Sequence, residues 1–264
     1  MKSNSGYLSS LVLTVLLVFC LFLLARESFA AEEVDVEDVP KDGKIEIVYP
    51  AEQTAAYKER RGPWSPFFSI GVDQVLPESF RSKLTDDNYE TLFGNSPVPM
   101  FQAELGTKYN FGLGSIGLFL IYGHGVVEDG RSGGETKTVH ELTLDKFGGG
   151  AVYIMDNLFS EPYVAPYIEG QLLKFGWEEK RHIPNGEVEG TTEGETDMSS
   201  ALVAGLLFQL NWLDPGSAIA AQNSSGLDNA YLDLFVSQYN TSESENDPNF
   251  QTGTNFGAGL RLEF

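Results

Sequence analysis

The last ten residues, "NFGAGLRLEF" from Asn255 to Phe264, alternate without a break. Phe256, Ala258, Leu260, Leu262 and Phe264 form one set. Gly257, Gly259, Arg261 and Glu263 form the other. Period two is the signature of a β-strand with one apolar and one polar face. Chain termini usually fray, so an apolar strand that runs to the final residue needs something to hold it there.

The same texture recurs upstream. Seven further alternating runs follow Pro66: "PFFSIGVD", "FQAELGTKY", "SIGLFLIYG", "VHELTLDKFGGGAVYIM", "YVAPYIEGQLLKFGW", "ALVAGLLFQLNW" and "NAYLDLFVSQY". In the second, Phe101, Ala103, Leu105, Thr107 and Tyr109 face one way and Gln102, Glu104, Gly106 and Lys108 the other. In the fourth, Leu142, Leu144, Val152 and Ile154 make the apolar set, and the three glycines Gly148 to Gly150 could carry a bulge that exchanges the faces of Asp145 and Lys146.

The connections alternate short and long. Residues 110–114 and 156–162 are short. Residues 76–98, 128–138, 178–197 and 240–253 are long and polar, and 178–197 has seven acids against two bases. Residues 213–228 break the rule, with room for a helical turn after Pro215.

A soluble sandwich would alternate too. Three features favour a barrel in lipid. The apolar sets are rich in Leu, Phe and Ile, against Gly, Glu, Lys, Asp and Arg. Aromatic residues gather at strand ends, with Tyr109, Tyr163 and Trp212 near the short connections and Tyr122, Trp177 and Tyr239 at the opposite ends, as in two interfacial girdles. Eight strands with short turns at one end and long acidic loops at the other fit a membrane barrel, whose strands must close because lipid offers the backbone no partners. The predicted fold is therefore all-β, an eight-stranded antiparallel up-and-down transmembrane β-barrel. Closure of the last strand on the first also explains why Phe264 can end the chain.

The rest of the chain sets the compartment. Lys2, the apolar run Leu11 to Ala25 and the small residues Ser28 and Ala30 read as a cleaved signal peptide over 1–30. The rival, a membrane anchor, is short of the ~20 residues a spanning helix needs. Cys20, the one cysteine, lies within it, so the mature chain has no disulfide to form. Residues 31–64 read as an acidic, flexible periplasmic lead-in, with a short strand at "KIEIVY", and 65–264 as the barrel. The formal net charge of −21 disfavours nucleic acid.

From Pro66 to Phe264 the chain resembles the small eight-stranded outer-membrane barrels of Gram-negative bacteria, of the OmpA, OmpX and OmpW type. "GLRLEF", with Phe256, Leu260, Leu262 and Phe264 at alternating positions, resembles the signal read by the outer-membrane assembly machinery. "PYVAPYIEGQL" resembles a strand common in these barrels. The resemblance implies a porin-like envelope protein with periplasmic termini and extracellular loops. Its partners would be outer-membrane lipid, lipopolysaccharide and the assembly machinery, and it would be a monomer without cofactor. It does not give an activity, since barrels of this size serve as adhesins, lipid enzymes, channels and structural proteins.

By parity the interior holds Asp73, Glu104, Lys108, Glu141, Asp145, Glu169, Asp233, Arg261 and Glu263. Buried charges must be paired, so Arg261 and Lys108 are expected as hubs for Glu104 and Glu169, with Asp145 and Asp233 towards water. Three functions remain open. The first is a structural and surface-interaction role with little or no pore. The second is a narrow channel, cation-preferring, or hydrophobic and lined by Phe119, Ile121, Leu207 and Phe235. The third is a lipid-modifying enzyme. The enzyme reading needs a nucleophile beside His124, His140 or His182, and "GHGVVED" lacks the serine that the lipid A deacylase pattern places after its histidine. His124 and His140 alone are too few for a metal site. No catalytic residue, metal or cofactor is expected. The 178–197 loop could hold divalent cations weakly or sit among bridged lipopolysaccharide head groups.

Overall fold

The computed structural model describes residues 57–129, 139–183, 187–244 and 246–264. The signal segment, "KIEIVY" and most of the 128–138 connection lie outside the described residues. All eight expected strands are present: β1 (Trp64–Val75), β2 (Val98–Phe111), β3 (Gly114–Glu128), β4 (Val139–Ile154), β5 (Val164–His182), β7 (Ser199–Gln209), β8 (Asn229–Tyr239) and β9 (Asn255–Glu263). A further strand, β6 (Val188–Glu195), lies within the expected 178–197 loop. Short helices are α1 (Tyr57–Arg60), α2 (Tyr89–Phe93) and α3 (Pro215–Ser225).

Every strand is antiparallel to its neighbours, and β1 pairs with both β2 and β9. The closing seam runs from Phe67 opposite Glu263 to Asp73 opposite Gly257, and the Phe264 amide donates to the Pro66 carbonyl at 3.0 Å. The terminal residue is thus held by the first strand.

β6 and β7 are one stave of the ring. Both pair with β5, as Gly176 opposite Glu195 and Leu173 opposite Ser199. Residues 174–175 then face 196–198, one residue extra, which is a bulge. Thr196 fills it: its amide donates to the Phe175 carbonyl (2.8 Å) and its hydroxyl accepts from the Phe175 amide (3.0 Å). The expected 178–197 loop is corrected accordingly. The alternation of β5 simply continues past Trp177, where a charge-rich sequence hides it. The helical turn expected after Pro215 is an eleven-residue helix, capped by Asp214 on the Ser217 amide.

β4 and β5 have 16 and 19 residues, whereas about ten cross a bilayer. Their outer halves therefore stand clear of the apolar belt, and the polarity of the wall changes with height. Nearer the short turns the outside is apolar, with Ile116 53 % exposed, Leu118 68 %, Leu120 63 % and Leu172 59 %, while the inside is charged. Further out the inside is apolar. There Phe80 and Phe250 stack at 5.6 Å, Phe250 meets Phe175 at 5.4 Å, and Tyr89 and Phe93 lie 5.0 Å apart. Phe80 and α2 belong to the β1–β2 connection, which folds down into the mouth. Buried Glu179 fastens it by accepting from the Ser82 hydroxyl and from the Lys83 amide.

Four inward rings lie on glycines directly opposite them: Phe67 on Gly106, Phe119 on Gly150, Tyr167 on Gly205 and Phe235 on Gly257. A Cβ at Gly106 would stand 2.7 Å from Cε1 of Phe67. These glycines give large rings floor space inside a narrow ring of strands.

Candidate functional site

The interior charges form three groups, in order from the short-turn end. The first centres on buried Lys108 of β2. Its Nζ lies 2.8 Å from Asp156 Oδ2 and 2.7 Å from Glu263 Oε1. Asp156 sits in the β4–β5 turn and also accepts from Ser115 (2.5 Å) and Arg61 (3.0 Å). Tyr57, 2 % exposed, closes this end. Its hydroxyl reaches Lys108 at 3.1 Å and Glu263 at 3.2 Å, and its amide donates to Glu161 at 2.7 Å. The end of the expected flexible lead-in is therefore seated against the barrel. Burial, then the Glu263 charge, push the Tyr57 phenol above its ordinary value. Burial alone would raise the Asp156 carboxyl. The Lys108 charge, the hydrogen bonds from Lys108 and Ser115, and Arg61 outweigh it and hold the carboxyl below its ordinary range.

The second group centres on Arg261 of β9. Nη2 lies 2.9 Å from Glu169 Oε1 and 3.2 Å from Glu104 Oε2, and Nε donates to the Ser69 hydroxyl at 2.9 Å. The guanidinium is flanked by the Phe67 ring at 4.8 Å and the Tyr167 ring at 5.2 Å. Such stacking suits a planar cation. Tyr167 donates to Asp233, at 2.9 Å from Oδ1.

The third group was not foreseen. Lys146 Nζ donates to Gln102 Oε1 (2.6 Å) and to the Tyr239 hydroxyl (2.7 Å), and Tyr239 donates to Asp73 Oδ2 (2.6 Å). Ser237 donates to the same oxygen at 2.8 Å.

The structure thus brings Glu104, Glu169 and Arg261 together, with Asp233 beside them, and Lys108 with Glu263. It separates Lys108 from the Arg261 hub and buries Asp233, which was expected towards water. Asp145 and Glu141 are corrections. Both point outward; Asp145 accepts from Tyr122 (2.9 Å) and meets His124 Nδ1 (2.9 Å), with a side chain 37 % exposed. Lys146 takes the interior place. No bulge occurs at Gly148–Gly150, and alternation in β4 is continuous. The misplacement came from turning Leu142, Leu144, Val152 and Ile154 outward, whereas all four are buried inside. Trp177 and Tyr239 are likewise inside, at 9 % and 1 % exposed, and are not girdle residues. Tyr109, Tyr163 and Trp212 do lie outside at the short-turn end, 42–59 % exposed, and Tyr122 faces outward from the middle of β3 rather than from its far end. Phe256 and Leu260 face outward on β9.

His140 is buried and His182 lies 3.8 Å from Glu141. Among the described residues, neither His124 nor His182 has a serine among its hydrogen-bond or ion-pair partners. Among the described residues, no three His, Cys, Asp or Glu side chains converge as a metal site.

Comparison with solved structures finds Ail, the attachment invasion locus protein of Yersinia pestis, solved in complex with the heparin analogue sucrose octasulfate. Its TM-score is 0.41 and its identity 15 %, over 77 % of this chain and 100 % of that one. Neisserial surface protein A follows with 0.40 and 12 %, over 77 % and 98 %. The N-terminal β-barrel domain of Pseudomonas aeruginosa OprF gives 0.37 and 12 %, over 76 % and 97 %. No family model matches, and no curated protein does.

Proposed function

We propose that this chain is an outer-membrane barrel with a structural and surface-interaction role and no open pore. The observation that carries the reading is the filling of its lumen along the whole axis. Tyr57 covers one mouth, two ion-paired layers and the hydrogen-bonded Lys146–Tyr239–Asp73 layer occupy the middle, and the Phe80–Phe250 cluster fills the other mouth. An apolar outside around a charged inside is stable only where lipid surrounds it. The short turns and both termini then lie in the periplasm, after removal of residues 1–30, and the long connections lie outside the cell. The acidic β5–β6 hairpin offers the loops a surface for lipopolysaccharide held by divalent cations, or for a partner. The assembly machinery would read the outward Phe256, Leu260, Leu262 and Phe264.

A narrow channel is the second reading, favoured by the carboxylates stacked along the axis. Single-channel recording of the refolded mature chain separates the two. A silent, folded barrel supports the structural reading. Discrete cation-selective steps that weaken in Glu104→Gln or Glu169→Gln would overturn it. A lipid-modifying enzyme is the weakest reading, because the His124–Asp145 pair faces outward and, among the described residues, no nucleophile contacts it.

A further inference from the structure

The short-turn end of the barrel carries an exposed apolar surface. Leu113 of the β2–β3 turn and Leu158 and Phe159 of the β4–β5 turn are all exposed. Hydrogen bonds clasp the two turns together. Asn157 Nδ2 donates to the Gly112 carbonyl at 2.5 Å, and the Tyr153 hydroxyl donates to the Leu113 carbonyl at 3.1 Å. Charged and amide groups share that level, since Arg61, Asp156 and Asn157 all bond at the same two turns. The surface therefore lies past the outward Tyr109 and Tyr163, where lipid no longer covers apolar side chains. Joined apolar groups in such a place mark a contact site.

The chain brings its own cover to this place. The Tyr57 amide donates to Glu161, so the residues before Tyr57 leave the barrel at the turn that carries Leu158 and Phe159. In residues 31–56, which are otherwise acidic and polar, the densest apolar run is "KIEIVY" at 44–49. There Ile45, Ile47 and Tyr49 alternate with Glu46 and Val48, and Pro50 ends the run. Residues 50–56 are the tether. Fully extended they reach about 25 Å. Two strand spacings, the separation of the two turns, come to about 10 Å. The tether can lay 44–49 across both turns, and it is short enough to keep the segment concentrated beside them.

We propose that residues 44–49 dock across Leu113, Leu158 and Phe159, with Ile45, Ile47 and Tyr49 facing the turns. The lead-in is then anchored twice, by Tyr57 in the barrel mouth and by this apolar strip on the rim. The acidic residues before it project from one fixed point. The contact does not depend on whether the lumen conducts.

Residues 31–264 contain no cysteine, so an engineered pair reports contact without interference. The refolded mature chain with Ile47→Cys and Phe159→Cys is oxidised at low concentration in detergent. Its intramolecular disulfide should form about tenfold faster than that of Ile47→Cys with Leu213→Cys, a similarly exposed position on the β7–β8 connection. Adding Ile45→Asp and Tyr49→Asp, which lie outside the barrel, should erase the preference. In a chain without cysteine, Leu158→Ser with Phe159→Ser should speed tryptic cleavage after Lys44 by about tenfold. Equal rates for the two pairs, or unchanged cleavage, would mean that detergent or lipid covers the turns and would overturn the proposal. A disulfide that forms between chains instead would assign the surface to a second copy and would overturn it too.

Discussion

Nη2 of Arg261 holds Glu169 at 2.9 Å and Glu104 at 3.2 Å, so one nitrogen of β9 ties together β5 and β2 across the barrel. All three side chains are buried. Removing a single partner from such a cluster leaves an uncompensated charge, which costs about 3–5 kcal/mol. Arg261→Ala should lower stability by that amount in urea titration. Unchanged stability would mean that the hub only fills space. Arg261→Lys should recover part of the loss, since an ammonium lacks the fork and the flat face that fit between Phe67 and Tyr167.

Asp145 and His124 provide the control. Their separation is also 2.9 Å, but the side chains are 37 % and 51 % exposed. Pairs of this kind contribute about 0–1 kcal/mol. Asp145→Asn should change stability by less than a third of the Arg261→Ala effect in the same titration.

The Asp156 carboxyl lies below its ordinary range in the folded chain. A depressed carboxyl stabilises the fold above the unfolded value of about 3.9, and that stability is lost as pH falls through the folded value. The seat of Tyr57 and Arg61 should therefore be intact from pH 7 down to about pH 5 and loosen below pH 4. Proteolysis of residues 57–63 at graded pH follows it. Asp156→Asn should be cleaved faster at pH 7, and its cleavage should depend less on pH.

Tyr57→Ala should cost about 3–5 kcal/mol, as for other buried aromatic residues, and should uncover the mouth at the short-turn end. If Tyr57 matters to the seal, this variant will leak in bilayer recordings where the parent chain is silent. Tyr57→Phe keeps the ring and should stay silent, losing about 1–2 kcal/mol for the missing hydroxyl.

Gly106→Ala should destabilise by about 1–3 kcal/mol through overpacking, since its Cβ would meet the Phe67 ring. Phe67→Leu in the same chain should relieve part of that loss. Strict additivity in the double-mutant cycle would show that the two residues do not interact.

Strand alternation made the barrel legible. Wherever lipid outside and charge inside agree, as at Glu104, Lys108, Glu169 and Arg261, parity alone places the side chain. It failed where the environment changes along one strand. In β4 the inward residues Leu142 and Leu144 belong to the same buried apolar cluster as Phe80 and Tyr89 of the β1–β2 connection, and outward Asp145 meets water, so an apolar face no longer means a lipid face. Trp177 and Tyr239 were misplaced for the same reason, because an aromatic residue at a strand end looks alike on either side of the wall. Lys146 was missed with them. Tyr57 carried no signal at all, since a single tyrosine in an acidic segment has no periodicity to betray its seat.

The seam between β1 and β9 also orders the folding events. Arg261 and Glu263 both ride on the strand that closes the ring. Until it docks, Glu104 and Glu169 lack their guanidinium and Lys108 lacks Glu263. Closing the wall and neutralising its contents are therefore a single act. An unsealed sheet is left with bare charges facing each other, a state too costly to persist in lipid, so incompletely inserted chains should be few and short-lived.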